Sequence, residues 1–232
     1  ASNAAVPDGF NWDLWLGGCA ARPYVGDAYY HPVNWRKRLD FGTGTFGDMG
    51  CHIFDPVFES LALTAPLSLR SEGPAPDQWN WAIDAKIRYV FPGTRFTEGQ
   101  TVAVTWYDGD QRPPAEVQAL VAPPKSTKEK SDGKKKPRDL LSDGSIIIGT
   151  EGTLHVPLVA TPKLFPLAKF AGYPMPQVEN GHHWSIWAEA CVSGVTPSAN
   201  FDNTLMRLRF VTLALFSLLA AGGSAAGVAK SL

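Results

Sequence analysis

The segment GDMGCHIFD places Asp48 and His52, two side chains with the chemistry to move a proton, four positions apart. On a helix, residues four apart project from the same face, one turn from each other. A carboxylate beside an imidazole fixes the ring's tautomer and raises its basicity, so the histidine can exchange a proton near neutral pH. The spacing therefore predicts a general acid–base pair. A second interpretation stays open, because a carboxylate close to a helix start can instead cap free backbone N–H groups.

Three glycines before this pair, Gly42, Gly44 and Gly47, have the G-x-G-x-x-G spacing of a loop that holds a dinucleotide pyrophosphate. Such a loop follows a buried strand and opens a helix. Residues 34–40, NWRKRLD, are strongly charged and do not resemble the buried central strand of a parallel sheet. The sequence therefore argues against a dinucleotide site here. The glycines instead allow a ligand to come close to the backbone.

The charge and hydropathy of the chain exclude some partners. With a formal net charge of −1 over 232 residues, nothing in the composition favours a nucleic acid or an anionic membrane surface. The most apolar run, residues 210–221, is shorter than the roughly 20 residues that a membrane span needs, and it predicts a buried helix. We therefore expect a soluble domain without a membrane span. The sequence does not distinguish a cytoplasmic protein from one exported to the periplasm.

The histidines do not have the spacing of a metal site. A metal hydrolase built on them would use His31, His52, His182 and His183 with Asp48. Such enzymes have a compact motif such as H-E-x-x-H, which this chain lacks. The three cysteines are far apart and include no C-x-x-C pair, so they indicate neither a zinc site nor a disulfide framework. We therefore predict no metal.

The elements that must position the acid–base pair can be predicted from the pattern of residues. Residues 11–40 are rich in aromatic residues, proline and glycine without any period, and they predict a long irregular arm. Alternating apolar and polar residues predict strands within 67–108 and 145–158. Helical spacing predicts three helices, at 47–63, 182–194 and 202–221. Because the strands are clustered, the predicted class is α+β, with an open, mainly antiparallel sheet and helices packed on one face.

These elements form one predicted domain, residues 11–221. Residues 1–10 precede it as a lead-in, in which Ser2-Asn3-Ala4 resembles the remnant of a cleaved expression tag. Residues 123–144 are highly charged and nearly free of large apolar side chains, so they predict a solvated, mobile loop. The Gly/Ala-rich residues 222–232 predict a flexible tail.

The combination Gly44-x-x-x-Asp48-x-x-x-His52 resembles a signature in the substrate domain of the Gfo/Idh/MocA family of NAD(P)-dependent oxidoreductases. The likeness covers most of residues 7–202. The other segments that carry it are WDLWLG (12–17), RPY (22–24), YHP (30–32), NWR (34–36), DFGTGTFGDMGCHIFD (40–55), IGTEGTL (148–154) and HHWSIWAEACVSGVTPSANFD (182–202). After Asp202 the chain departs from the family pattern, and the expected final strand is not recognisable.

The resemblance implies a two-domain enzyme. An N-terminal Rossmann domain binds NAD or NADP, and an α+β domain with an open sheet holds the substrate. This chain begins where the second domain begins and lacks the dinucleotide loop, so no coenzyme is expected on the chain alone, which we expect to be inactive. The implied substrate is a sugar, polyol or glycoside hydroxyl. The implied partners are the missing Rossmann domain and further copies of the chain, in a homodimer or tetramer formed through the open sheet.

The resemblance also implies roles for single residues. His52 is the acid/base that takes or returns the hydroxyl proton, and Asp48 holds His52 and a sugar hydroxyl. The residues expected in the substrate pocket are Tyr30, His31, Trp35, Arg36, His182 and His183. The residues expected near the nicotinamide are Trp12, Asp13 and Trp15. Packing at an interface stays open for Trp12 and Trp35, as does a capping or surface role for the two helix-start histidines.

A second function class also fits the sequence. The chain could be a stand-alone carbohydrate-binding or assembly module that has lost its nucleotide-binding domain. The open sheet and the aromatic arm would then serve as a carbohydrate surface or a dimer interface. A strand followed by a dinucleotide fingerprint in the gene upstream of Ala1 would distinguish the oxidoreductase from this module.

Overall fold

A computed structural model describes residues 2–30, 33–122, 143–177, 181–197 and 200, together with the backbone of 224–226. The helices are α1 Trp12–Leu16, the 3₁₀ helix Asn34–Lys37, α2 Gly44–Ser60, α3 Ala115–Leu120 and α4 His183–Ser193. The strands are β1 Ser68–Ser71, β2 Lys86–Pro92, β3 Thr101–Tyr107, β4 Ser145–Ile148, β5 Thr153–Val156, β6 Lys163–Phe165 and β7 Ser224–Ala226. The clustered strands and the antiparallel pairing confirm the predicted α+β class.

The arm is largely irregular, as predicted, and its order comes from local hydrogen bonds. Asn11 caps α1, where its side chain accepts a hydrogen bond from the backbone N–H of Leu14. Further along, the backbone N–H of Trp35 in the 3₁₀ helix donates to the carbonyl of Tyr30 over 2.6 Å. Two helical turns thus fix the arm at both of its ends.

Helix α2 begins at Gly44, before the predicted start at residue 47. Gly44 has a φ of 71°, in the left-handed region that favours glycine. A Cβ at this position would lie 2.9 Å from the Cβ of Trp81. Gly42, two residues earlier, is equally constrained, because its Cβ would lie 2.4 Å from the carbonyl oxygen of Arg36. The glycines therefore let the 3₁₀ helix, the start of α2 and Trp81 pack closely together.

Helix α2 packs on one face of a four-stranded antiparallel sheet with the strand order β3-β2-β1-β7. Along β2, the alternate residues Ile87, Tyr89 and Phe91 are fully buried. The ring of Phe46, on α2, lies 6.4 Å from that of Tyr89 and 4.9 Å from that of Trp106 on β3. This core confirms the alternation that predicted strands within 67–108.

The opposite face of this sheet is charged. Arg70 on β1 and Arg88 on β2 are directly opposite each other in the antiparallel register, and both are exposed. Lys86 on the same face pairs with Glu72 over 2.9 Å. The face that the helices leave open is therefore polar and cationic, as expected for the solvated face of an antiparallel sheet.

The second sheet has three strands in the order β4-β5-β6, all antiparallel. Its first two strands and the turn between them match the prediction for 145–158, with the N–H of Gly149 donating to the carbonyl of Gly152 over 2.8 Å. The hydroxyl of Ser145 donates to the carbonyl of Ile53 over 3.0 Å, which attaches β4 to α2. Strand β6 lies outside the predicted strands.

Helix α4 confirms the helix predicted for 182–194 and ends, as predicted, at Gly194, which has a φ of 72°. All of its side chains are exposed except that of Ala190, which is half-buried. Its apolar side chains thus have no cover among the described residues. The predicted helix at 202–221 and the charged loop, apart from residues 143 and 144, lie outside the described residues.

Candidate functional site

Asp48 lies in the second turn of α2 and forms an ion pair with Arg36 of the 3₁₀ helix. Arg36 Nε lies 2.7 Å from Asp48 Oδ2, although the N–H is not aligned for a hydrogen bond. Each side chain is about one-third exposed, at 35% and 33%. The Arg36 guanidinium also lies over the Trp35 ring, 4.8 Å from its centroid. Asp48, Arg36 and Trp35, which the sequence assigned to one site, therefore lie next to one another.

The capping interpretation of Asp48 is wrong. The free N–H groups of a helix lie in its first turn. Because α2 begins at Gly44, Asp48 lies beyond that turn. The N-cap residue is Thr43, and no side chain caps this end. The carboxylate is instead held by an arginine from a neighbouring element.

His52 is exposed one turn after Asp48, on the same side of α2. In the part of the chain that the structure describes, the His52 ring has no hydrogen bond or ion pair, so its predicted contact with Asp48 stays a prediction. Its neighbour Cys51 is exposed overall, but partial desolvation of its thiol raises the pKa of that group. That thiol is therefore less suited than His52 to accept a proton near neutral pH.

The arm residues predicted near a coenzyme form one aromatic cluster with Tyr30. The rings of Trp12 and Trp15 are stacked, with centroids 5.1 Å apart and planes 13° apart. Tyr30 is 5% exposed and lies 5.2 Å and 5.3 Å from the two tryptophan rings. Phe41 closes the cluster at 4.6 Å from Trp15. Asp13, in contrast, is exposed, and its backbone carbonyl accepts the Gly17 N–H at the end of α1.

This cluster is joined to the start of α2 by residues that the sequence reasoning missed. Arg38 donates to the carbonyl of Tyr29, stacks on its ring at 3.4 Å and binds the side-chain oxygen of Asn80. Trp81 donates its indole N–H to the carbonyl of Gly42 over 2.7 Å. No local pattern marks these residues, because their partners are distant in sequence.

The two histidines at the start of α4 are not brought to this site in the described structure. His182 and His183 are exposed, and their rings stack on each other at 5.8 Å. His182 Nδ1 lies 3.3 Å from the hydroxyl of Ser185. His31 lies outside the described residues. Among the residues that are described, no three histidine, cysteine or carboxylate side chains cluster in a way that could hold a metal ion.

A groove of about 930 Å³ runs along α2, and neither Asp48 nor His52 is among the residues that line it. One wall is formed by Thr45, Met49 and Ile53 of α2, and the wall across from it by the edge strands β3 and β4. His155 on β5 also lines the groove. Met49 precedes His52 by three positions, so both lie on neighbouring parts of the same helix surface.

The N-terminal part of the chain is similar to a known protein family. Residues 1–112 match the model of a protein family described as an oxidoreductase family, C-terminal alpha/beta domain. The matched range contains the aromatic cluster, the Arg36–Asp48 pair, His52 and strands β1 to β3. No curated protein matches the chain. Within the described ranges, no helix is both long and apolar enough to cross a membrane.

Proposed function

Because residues 1–112 belong to the C-terminal domain family of the Gfo/Idh/MocA oxidoreductases, we propose that the chain is the substrate-binding domain of an NAD(P)-dependent enzyme. The substrate in this proposal is a sugar, polyol or glycoside, oxidised or reduced at a hydroxyl-bearing carbon. The observation that carries the proposal is the arrangement around the start of α2. An ion-paired carboxylate lies one helical turn before an exposed histidine, beside a fixed aromatic cluster.

His52 is the proton acceptor in this proposal. It is exposed, so a substrate hydroxyl can reach its ring, and an imidazole exchanges protons near neutral pH. Asp48 binds a second hydroxyl of the substrate. Its Oδ2 faces Arg36, which leaves Oδ1 for the substrate or for the His52 ring. Arg36 thereby sets the direction of the carboxylate, and the pair orients the sugar so that the reacting hydroxyl points at His52.

The coenzyme does not fit on the glycines of this chain. Residues 34–37 form a 3₁₀ helix where a dinucleotide loop needs a strand, and the spaces above Gly42 and Gly44 are taken by Arg36 and Trp81. NAD or NADP, which supplies the hydride acceptor or donor, is therefore held by a separate nucleotide-binding domain in our proposal. We expect no calorimetric binding of NAD(P)H to this chain, and micromolar binding would contradict this division of roles.

Saturation-transfer NMR with a panel of sugars and polyols tests the substrate site directly. We expect transfer to at least one sugar, and a loss of that transfer in Asp48→Asn, which removes the charge that Arg36 holds. Asp8→Asn is the matched control, because Asp8 is an exposed carboxylate in the lead-in to the arm. Equal transfer in both variants would overturn the assignment of Asp48.

Self-association through the open sheet is a further part of the proposal. The open face of the sheet is exposed. A symmetric dimer must not place Arg70 and Arg88 of one copy against the same two arginines of the other copy, because these like charges would repel each other. We therefore expect an offset dimer in which Glu72 faces arginines of the second copy. Light scattering at high micromolar concentration checks this, and a monomer at every salt concentration would count against it.

The second candidate is a carbohydrate-binding module without catalysis, favoured by the half-buried, mutually stacked rings of Trp12 and Trp15. Aromatic faces of this kind stack on sugar rings. The module and the enzyme differ in their dependence on His52. Sugar binding without any effect of His52 on turnover in the complete enzyme would favour the module.

A further inference from the structure

Arg70 and Arg88 form a pair of like charges on the open face of the four-stranded sheet. They are directly opposite each other in the antiparallel register of β1 and β2, and both are exposed. Side chains in such positions have Cβ atoms about 4.5–5.5 Å apart, and like charges there destabilise the strand pair. Among the described residues, neither guanidinium forms an ion pair. The pair is therefore a local concentration of positive charge.

The carboxylate of Glu72, on the same face, is bound by a third cation. Lys86 Nζ lies 2.9 Å from Glu72 Oε2. The hydrogen bond from Lys86 lowers the pKa of Glu72, and the charges of Arg88 and Arg70 lower it further. Three cations thus share one carboxylate, which leaves this part of the face with an excess of two positive charges.

The two arginines are held by a rigid support. The residues that alternate with them along β1 and β2 lie in the core, where Leu69, Ile87 and Tyr89 are 2%, 0% and 0% exposed. Strand β2 is also paired with β3, on which Thr105 is directly opposite Arg88. A planar guanidinium forms two parallel hydrogen bonds with an oxyanion, and a threonine hydroxyl can donate one more. The sheet therefore places several donors of fixed position on one surface.

The excess charge selects the kind of anion. A doubly charged oxyanion, such as phosphate or sulfate, would cancel both positive charges, whereas a monocarboxylate would cancel only one. An extended polyanion fits less well, because the chain as a whole has a net charge of −1. Glu72 borders the arginine pair and would repel the further negative groups of a polymer.

We propose that Arg70 and Arg88 form a binding site for a doubly charged oxyanion on the open face of the sheet, with Thr105 as a further donor. The site is separate from Asp48 and His52, because α2 packs on the other face of the sheet. It requires neither a coenzyme nor oxidoreductase activity. In the dimer proposed above, Glu72 of the second copy faces the same arginines, so a bound anion would compete with that contact.

A titration with inorganic phosphate at about pH 8, where its charge is close to −2, tests the site. Sodium chloride keeps the ionic strength constant, and the NMR signals of the guanidinium carbons Cζ report on Arg70 and Arg88. We expect these two signals to shift and reach saturation, and acetate to bind at least about tenfold more weakly. Methyl phosphate in place of phosphate distinguishes a phosphate group carried on a ligand from the free ion. Shifts that do not saturate, or that are equal at every arginine, would overturn the proposal.

Variants distinguish a specific site from general attraction of anions. Arg88→Gln removes one guanidinium from an exposed position and should weaken phosphate binding by at least about tenfold. Arg95→Gln is the matched control, because Arg95 is an exposed arginine in the loop between β2 and β3. Phosphate should raise the melting temperature of the wild type and of Arg95→Gln, but not that of Arg88→Gln. An equal response of the two variants would contradict the proposal.

Discussion

The segments 1–112 and 143–197 both contain aromatic residues, but the two segments differ in how far these side chains are buried. In the first, aromatic rings contact one another, in the cluster around Tyr30 and in the core around Tyr89. In the second, Trp184 and Trp187 of α4 are 66% and 63% exposed. The family match also ends at residue 112. The comparison teaches that the first segment holds an internally packed site, whereas the apolar side chains of α4 are exposed among the described residues.

The comparison predicts that truncating a core side chain of the first segment has the largest effect on stability. Phe91 is fully buried and stacks on Tyr89 at 5.7 Å. Phe91→Ala should reduce the free energy of unfolding by about 3–5 kcal/mol. Val192→Ala on α4, where the side chain is 91% exposed, should change it by less than about 0.5 kcal/mol. Urea denaturation measures both, and equal losses would show that α4 is as tightly packed as the sheet.

A smaller effect should come from adding a methyl group where the arm meets α2. A Cβ at Gly42 would lie 2.4 Å from the carbonyl oxygen of Arg36. Gly42→Ala should therefore cost about 1–3 kcal/mol. Gly18→Ala is the matched control, because nothing lies within 4 Å of a Cβ there. Thermal melting compares the two, and an unchanged midpoint for Gly42→Ala would mean that the arm does not pack on α2 as described.

The smallest effect concerns the charged face of the sheet. Like charges directly opposite on antiparallel strands destabilise the pair, and Arg70 and Arg88 are in this arrangement. Arg88→Glu should raise the free energy of unfolding by about 0.2–1 kcal/mol at low salt. The gain should shrink in 1 M salt, where charges are screened within about 3 Å. A gain that does not respond to salt would exclude the electrostatic explanation.

Much of the first segment was predictable, because its signals are local. Alternation along β2 and helical spacing in α2 are patterns within one element, and they identify a strand and a helix directly. The start of α2 was predicted too late, because Gly44 begins the helix through its fit against Trp81, which lies 37 positions further along (81 − 44). A contact of this kind leaves no trace in local periodicity.

The sequence predicted which residues belong to the site, but not which of them contact each other. Asp48, Arg36 and Trp35 were all expected at one site, yet the sequence paired Asp48 with His52 or with free helix N–H groups. The ion pair with Arg36 depends on where the 3₁₀ helix lies against α2, which only the tertiary structure determines. Similarly, nothing around His155 in the sequence indicated a buried histidine that lines a groove.

The central claim is that His52 and Asp48 act together in proton transfer, and a double-mutant cycle tests it most directly. Turnover and melting temperature would be measured for His52→Ala, Asp48→Ala and the double variant, in an enzyme that joins this domain to its nucleotide-binding domain. Cys51→Ala is the control, since Cys51 is an exposed neighbour on the same helix. The Arg36–Asp48 pair is partly exposed, so its loss should cost only about 0–1 kcal/mol of stability.

We predict that His52→Ala lowers kcat by about 10²- to 10⁴-fold with little change in melting temperature. Asp48→Ala should cost less, and the double variant should cost little more than His52→Ala alone, because the two residues act as a unit. Turnover close to the wild-type value in His52→Ala would contradict the account.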